Sequence, residues 1–152
     1  MIIEDAQPAD AEEILALQKL AYQSEARIYD DYSIPPLTQT LEQMRDDFDR
    51  QRVLKASIAD RIIGSVRAYR HEGTCFIGRL IVHPDFQKKG IGTGLMQAIE
   101  GGFPEAKRFE LFTGHLSEGN IRLYRRLGYE AFREQPVTDR LSLVFMEKIS
   151  PG

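Results

Sequence analysis

The chain has no tryptophan and a single cysteine, Cys75, among its 152 residues. An internal disulfide is excluded, and folding does not require an oxidising compartment. An excess of basic residues is also missing: 20 lysines and arginines stand against 23 acids, a formal net charge of −3. Without a basic stripe to neutralise phosphates, DNA and RNA are not expected partners. Three scattered histidines and one cysteine give no Cys/His spacing for zinc, so no metal is expected. No segment approaches the roughly 20 apolar residues needed to cross a membrane. The start, Met1 to Pro8, has neither a basic flank nor a long apolar stretch. These absences predict a cytoplasmic protein with no membrane partner.

What is present is enough for one core. Hydrophobic residues make up 42% and charged residues 28% of the chain, the balance of a globular protein, and the length predicts a single domain over residues 1–152. A short strand is expected at Ile2 and Ile3. Asp10 with Glu13 resembles a helix-capping pair, and Ile14, Leu17, Leu20 and Ala21 recur at helical spacing through about residue 26. Residues 28–37 carry Pro35-Pro36 and several aromatics, which predicts an ordered loop with something to contact. A polar helix is expected over 39–50, with Leu41, Met44 and Phe48 as its apolar stripe.

The period then changes. Residues 53–59, 62–69 and 74–82 are short, rich in branched apolar side chains and separated by turn residues, which predicts three antiparallel strands. A helix should open at Gly90, with Ile91, Leu95 and Ile99 on one face, and end at Gly101-Gly102. A strand at 107–113, a helix at 117–127 capped by Gly128, and strands at 129–134 and 141–148 complete the order. Antiparallel hairpins with one strand-helix-strand crossover define an α+β class, with a mixed, largely antiparallel central sheet flanked by helices.

The most informative stretch runs from Leu80 to Leu95, where a strand ends at a proline and a glycine-rich turn opens a helix. The first N–H groups of a helix lack intrahelical partners and sit at its positive end, a setting for a diphosphate. Gly90 and Gly92 permit close approach, and Lys88 and Lys89 add positive charge. A Walker pattern is absent, since no Gly-x-x-x-x-Gly-Lys run occurs. A dinucleotide fingerprint fails where Leu95 replaces the third small residue and where His83 to Lys89 separate strand from glycines.

The run Gln87-Lys-Lys-Gly90-Ile-Gly92, between a strand with its proline and an amphipathic helix, resembles the Gln/Arg-x-x-Gly-x-Gly/Ala signature of the acetyl-coenzyme-A-dependent N-acetyltransferases, the GNAT superfamily. Ser117-Glu-Gly-Asn120-Ile-Arg-Leu-Tyr124-Arg-Arg-Leu-Gly128-Tyr129 is similar to that family's late helix, with Tyr124 and Gly128 in step. Ser117 stands where the family usually has asparagine, and Asn120 where it has alanine.

The resemblance implies a GNAT-like sheet splayed at the coenzyme-binding strands, with Leu80, Ile81 and Val82 offering backbone to the pantetheine arm. It implies that Gln87, Lys88, Lys89, Gly90, Ile91, Gly92 and Thr93 cradle the diphosphate of acetyl-CoA, the co-substrate, with Ser117 or Asn120 beside it. The expected reaction moves an acetyl group to a primary amine of a small molecule or peptide by direct attack in a ternary complex. Tyr124 matches the family's phenol next to the coenzyme sulfur, a proton donor to the leaving thiolate. For the base, His115 and then Glu72 are the candidates. The acceptor is expected along Tyr29, Asp30, Asp31 and Tyr32, in a segment that also holds Tyr22 and Glu25, and this acidic, aromatic composition suits a cationic amine. A homodimer is compatible with this reading. The alternative is a non-catalytic acyl-CoA-binding sensor or interaction module on the same fold.

Overall fold

The computed structural model describes residues 1–150. Seven strands form one sheet: β1 (Ile2–Asp5), β2 (Arg52–Ile58), β3 (Arg61–His71), β4 (Thr74–Val82), β5 (Arg108–Gly114), β6 (Glu130–Pro136) and β7 (Ser142–Ile149). Their order is β1-β2-β3-β4-β5-β7-β6, and every neighbouring pair is antiparallel except β4 and β5. That parallel pair follows from chain connectivity, because β4 reaches β5 through a crossover helix rather than a hairpin.

Six helices flank the sheet: α1 (Ala11–Ala21), α2 (Gln23–Tyr29), α3 (Pro35–Thr38), α4 (Leu41–Arg50), α5 (Ile91–Gly101) and α6 (Glu118–Arg126). Strand periodicity divides their packing between two faces. In β2 Val53 joins a cluster with Ile14, Leu17 and Met44 of α1 and α4, while its neighbour Leu54 joins a cluster with Leu95, Met96 and Ile99 of α5. Ile62 and Ile63 split the same way in β3. Alternate side chains of one strand leave on opposite faces, so helices cover both. Leu95 is fully buried, and its truncation to alanine would cost about 2–5 kcal/mol.

Three local expectations are corrected. The first helix does not run unbroken to residue 26 but is interrupted at Tyr22, whose φ and ψ of −81° and 0° turn the chain into α2. Asp10 and Glu13 do not cap each other's helix end: Asp10 accepts from Gln7 N–H at 2.8 Å and Lys55 at 2.9 Å, and Glu13 accepts from Ile62 N–H at 2.9 Å. The segment 28–37 is not all loop, since Pro35-Pro36 occupies the first turn of α3, where a missing N–H costs nothing. The capping on α4 is reciprocal, with Thr40 and Gln43 satisfying each other's backbone N–H at 3.1 and 3.0 Å.

Candidate active site

Parallel pairing of β4 with β5 covers only Thr74↔Arg108, Cys75↔Phe109 and Phe76↔Glu110. Beyond Phe76 and Glu110 the strands part, and a cleft of about 810 Å³ is lined by Ile77–Val82 on one side and Leu111–Gly114 on the other. Ile81 and Val82 remain paired with Ser65 and Gly64 of β3, but the β5-facing edge of Leu80, Ile81 and Val82 has no strand partner and opens on this cleft, as expected for a strand that offers hydrogen bonds to an extended ligand.

At one end of the cleft is the glycine-rich turn. Gly90 caps α5 with φ of +81°, a left-handed conformation that a side chain would strain, and a Cβ built there meets no atom within 4 Å. Space in front of the α5 N-terminus is therefore open. Gln87, Lys88, Ile91, Gly92 and Thr93 line the cleft with Gly90, and Arg126 of α6 lines the same cleft. Lys89 is not in the lining; its ammonium sits 5.7 Å from the centroid of the Phe86 ring. An unpaired helix N-terminus beside Lys88, in a cleft that Arg126 also lines, suits a phosphorylated ligand. Arg126 is absent from the residues that the sequence singles out, although its place just before Gly128 on a cleft-facing helix is a usable signal.

Tyr124 of α6 lines the middle of the cleft and is 7% exposed. Burial, with Tyr22 and Glu25 nearby, pushes its phenol pKa up, so it remains protonated at neutral pH. Tyr22 is raised as well, chiefly by burial, with Arg79 opposing and Glu25 adding to the effect. Three groups from separate elements thus share one region: Tyr22 at the helix break, Glu25 on α2 and Tyr124 on α6.

Glu25 is the one carboxylate among the residues lining the cleft. Its Oε2 accepts from Ser117 Oγ at 2.5 Å and its Oε1 lies 3.5 Å from Asn120 Nδ2, which also donates to Thr113 Oγ1 at 3.3 Å. Ser117 is buried at the N-terminus of α6, hydrogen-bonded to Tyr29, and is not part of the lining; Asn120 is. Of the two residues that the late-helix resemblance leaves open, Asn120 is the one exposed to the cleft.

The remaining expected site residues are distributed differently. Tyr29 lines the cleft, whereas Asp30, Asp31 and Tyr32 do not. Asp30 caps α2 in a left-handed conformation and lies 3.3 Å from Arg140, and Asp31 accepts from Ser33. His115 is outside the lining, with Nδ1 accepting the Ser142 N–H at 3.0 Å and its own backbone N–H donating to the Ser142 carbonyl at 2.9 Å. Glu72 sits in the exposed β3–β4 turn, beside His71 and at the opposite end of β4 from Val82. Neither His115 nor Glu72 lines the cleft with Tyr124, whereas Glu25 does.

The family assignment follows from the likeness of this chain to others. A profile of the acetyltransferase (GNAT) family matches residues 12–129, and the chain belongs to that family. In structure it is similar to PaiA N-acetyltransferase from Thermoplasma acidophilum in complex with coenzyme A, with a TM-score of 0.81 and 16% identity over 99% of this chain and 100% of that one. It is also similar to the ribosomal-protein-S18-alanine N-acetyltransferase of Escherichia coli, with a TM-score of 0.80 and 15% identity over 97% and 92% of the two chains. In sequence it is 29% identical over 120 residues to the UPF0157 protein YqkA of Bacillus subtilis (strain 168). That match covers 79% of this chain and 34% of YqkA, so the chain spans about a third of that relative's length.

Proposed function

We propose that the chain transfers an acetyl group from acetyl-CoA to a primary amine of a small molecule or peptide, by direct attack within a ternary complex. The observation that carries this reading is the shared cleft: a helix N-terminus for phosphates, an unpaired strand edge, and a buried phenol beside a carboxylate all open onto it.

The coenzyme diphosphate is assigned to Gly90–Thr93 with Lys88 and Arg126, and the pantetheine arm to the free edge of Leu80–Val82. Extended along that edge, the thioester would reach the region of Tyr124. A backbone N–H near Val82 would stabilise the oxyanion as the amine adds to the carbonyl. The acceptor arrives as an ammonium and must lose a proton before its lone pair can attack. Glu25 is assigned to bind that ammonium and take the proton, in place of His115 and Glu72.

When the C–S bond breaks, the nitrogen loses its second proton and the sulfur gains one. Tyr124 is assigned to supply the sulfur and be reset from the nitrogen side, so that the net reaction releases one proton to solvent. A phenol with a reference pKa of about 10 is a weaker acid than a thiol near 8.5, and burial pushes Tyr124 further up, so complete transfer to a free thiolate is uphill by at least about 2 kcal/mol. The transferring hydrogen bond therefore matters most while negative charge is building on sulfur in the dry site, before the thiolate is free.

The test combines binding with turnover. Acetyl-CoA should raise the melting temperature, and thiol release should depend on added primary amine. Coenzyme binding with no thiol release from a broad amine set would favour the sensor reading instead.

A further inference from the structure

Arg79 occupies an unusual backbone position. In the β3–β4 ladder Ser65 pairs with Ile81 and Arg67 with Gly78, so Arg79 and Leu80 together oppose Val66. The result is a β-bulge, and Arg79 takes φ of +51°, a left-handed conformation costing roughly 1–2 kcal/mol for a residue with a Cβ. A bulge re-aims a side chain, and Arg79 lines the cleft.

Its electrostatic surroundings are unbalanced. Arg79 Nη1 donates to Gln39 Oε1 at 3.2 Å, and the same oxygen accepts from Arg67 at 3.2 Å and Gln18 at 2.9 Å. Arg67 is paired with Asp47 at 3.1 Å, but Arg79 has no carboxylate partner among the described residues. Burial and the adjacent Arg79 push Arg67 down to about 10, which still leaves it protonated at neutral pH. Of these two neighbouring guanidinium groups only Arg67 is paired with a carboxylate. A guanidinium has five N–H donors, and most of those on Arg79 remain available to a planar anion.

Glu25 supplies the opposite sign in the same cleft, and the Tyr22 phenol senses both charges. We infer that the acceptor carries a carboxylate as well as its amine, with Arg79 binding the carboxylate and Glu25 the ammonium. This inference rests on the transferase reading above. It replaces the cationic acceptor suggested by Asp30 and Asp31, which lie outside the cleft.

The experiment uses amino acids of increasing chain length, each paired with its own carboxamide. kcat/KM is read by thiol release from acetyl-CoA, and binding is read by calorimetry on free and coenzyme-A-loaded protein. For the chain lengths that fit, the carboxylate member should be preferred by about tenfold or more, the equivalent of about 1.4 kcal/mol. Arg79→Gln should erase the preference by lowering kcat/KM for the carboxylate member far more than for its carboxamide, and Arg79→Lys should restore part of it. Equal use of acid and amide by the wild-type protein would overturn the inference, as would an undiminished preference in folded Arg79→Gln. The wild-type comparison stands even if the variant does not fold. Should acetyl-CoA fail to bind, the transferase reading falls, yet carboxylate binding to the free protein still decides the role of Arg79.

Discussion

The hydroxyl of Tyr29 lies 2.7 Å from Ser117 Oγ and also accepts the Leu116 N–H at 3.0 Å. Residues 88 positions apart in the chain are joined by the first of these contacts, which ties the end of α2 to the start of α6. Glu25 and Tyr124, assigned to opposite ends of the proton path, sit on these two helices.

Gly114 tests that joint. A Cβ at this position would run into the Tyr29 phenol, so Gly114→Ala must displace the ring. Overpacking of this kind costs about 1–3 kcal/mol. Tyr29→Phe loses the hydroxyl bonds and about 1 kcal/mol. Because both changes disturb one contact, denaturant melts of the double variant should show less than the sum of the two losses.

At the phosphate end, Gly90→Val would strain a left-handed residue and fill the open space in front of α5. Acetyl-CoA affinity by calorimetry should fall at least tenfold, with circular dichroism close to wild type. Unchanged affinity in the folded variant would move the diphosphate elsewhere.

Acid stability should carry a signature of Asp5. Its carboxyl is held below the usual range by the hydrogen bonds and charge of Arg52, which reaches it at 2.9 Å. A depressed carboxylate stabilises the fold above its unfolded pKa, near 3.9, and that contribution is lost as pH falls through the lower folded value. Asp5→Asn should therefore lower Tm slightly at pH 7, with the difference from wild type shrinking below about pH 4. The pair is exposed, so the effect is small.

Much of this architecture is legible in the sequence because period and punctuation agree. The strands from Val53 to Val82 show branched apolar runs between turn residues, and α5 begins where Gly90 demands a left-handed turn. The splay between β4 and β5 is implied only by the family resemblance, since pairing lengths leave no mark on composition. The helix break at Tyr22 has no proline or glycine to announce it, and the bulge at Arg79 is hinted at only by the adjacent Gly78. These two irregularities help set the charges in the cleft. Without them, Asp30 and Asp31 look as well placed as Glu25, and Arg79 looks like an ordinary strand residue. His115 illustrates a further limit, because only the fold reveals that Ser142 holds its ring nitrogen.

Single-turnover acetyl transfer by Tyr124→Phe tests the mechanism most directly. Enzyme in excess over acetyl-CoA, mixed with an accepted amine, removes product release from the observed rate. Phenylalanine keeps the ring packed against Tyr129, whose centroid is 6.1 Å away, and removes only the donor. The account predicts unchanged acetyl-CoA affinity and a rate lower by roughly 10²-fold or more, the usual contribution of a positioned acid. A wild-type rate in the folded variant would contradict it and leave the sulfur to be protonated without Tyr124.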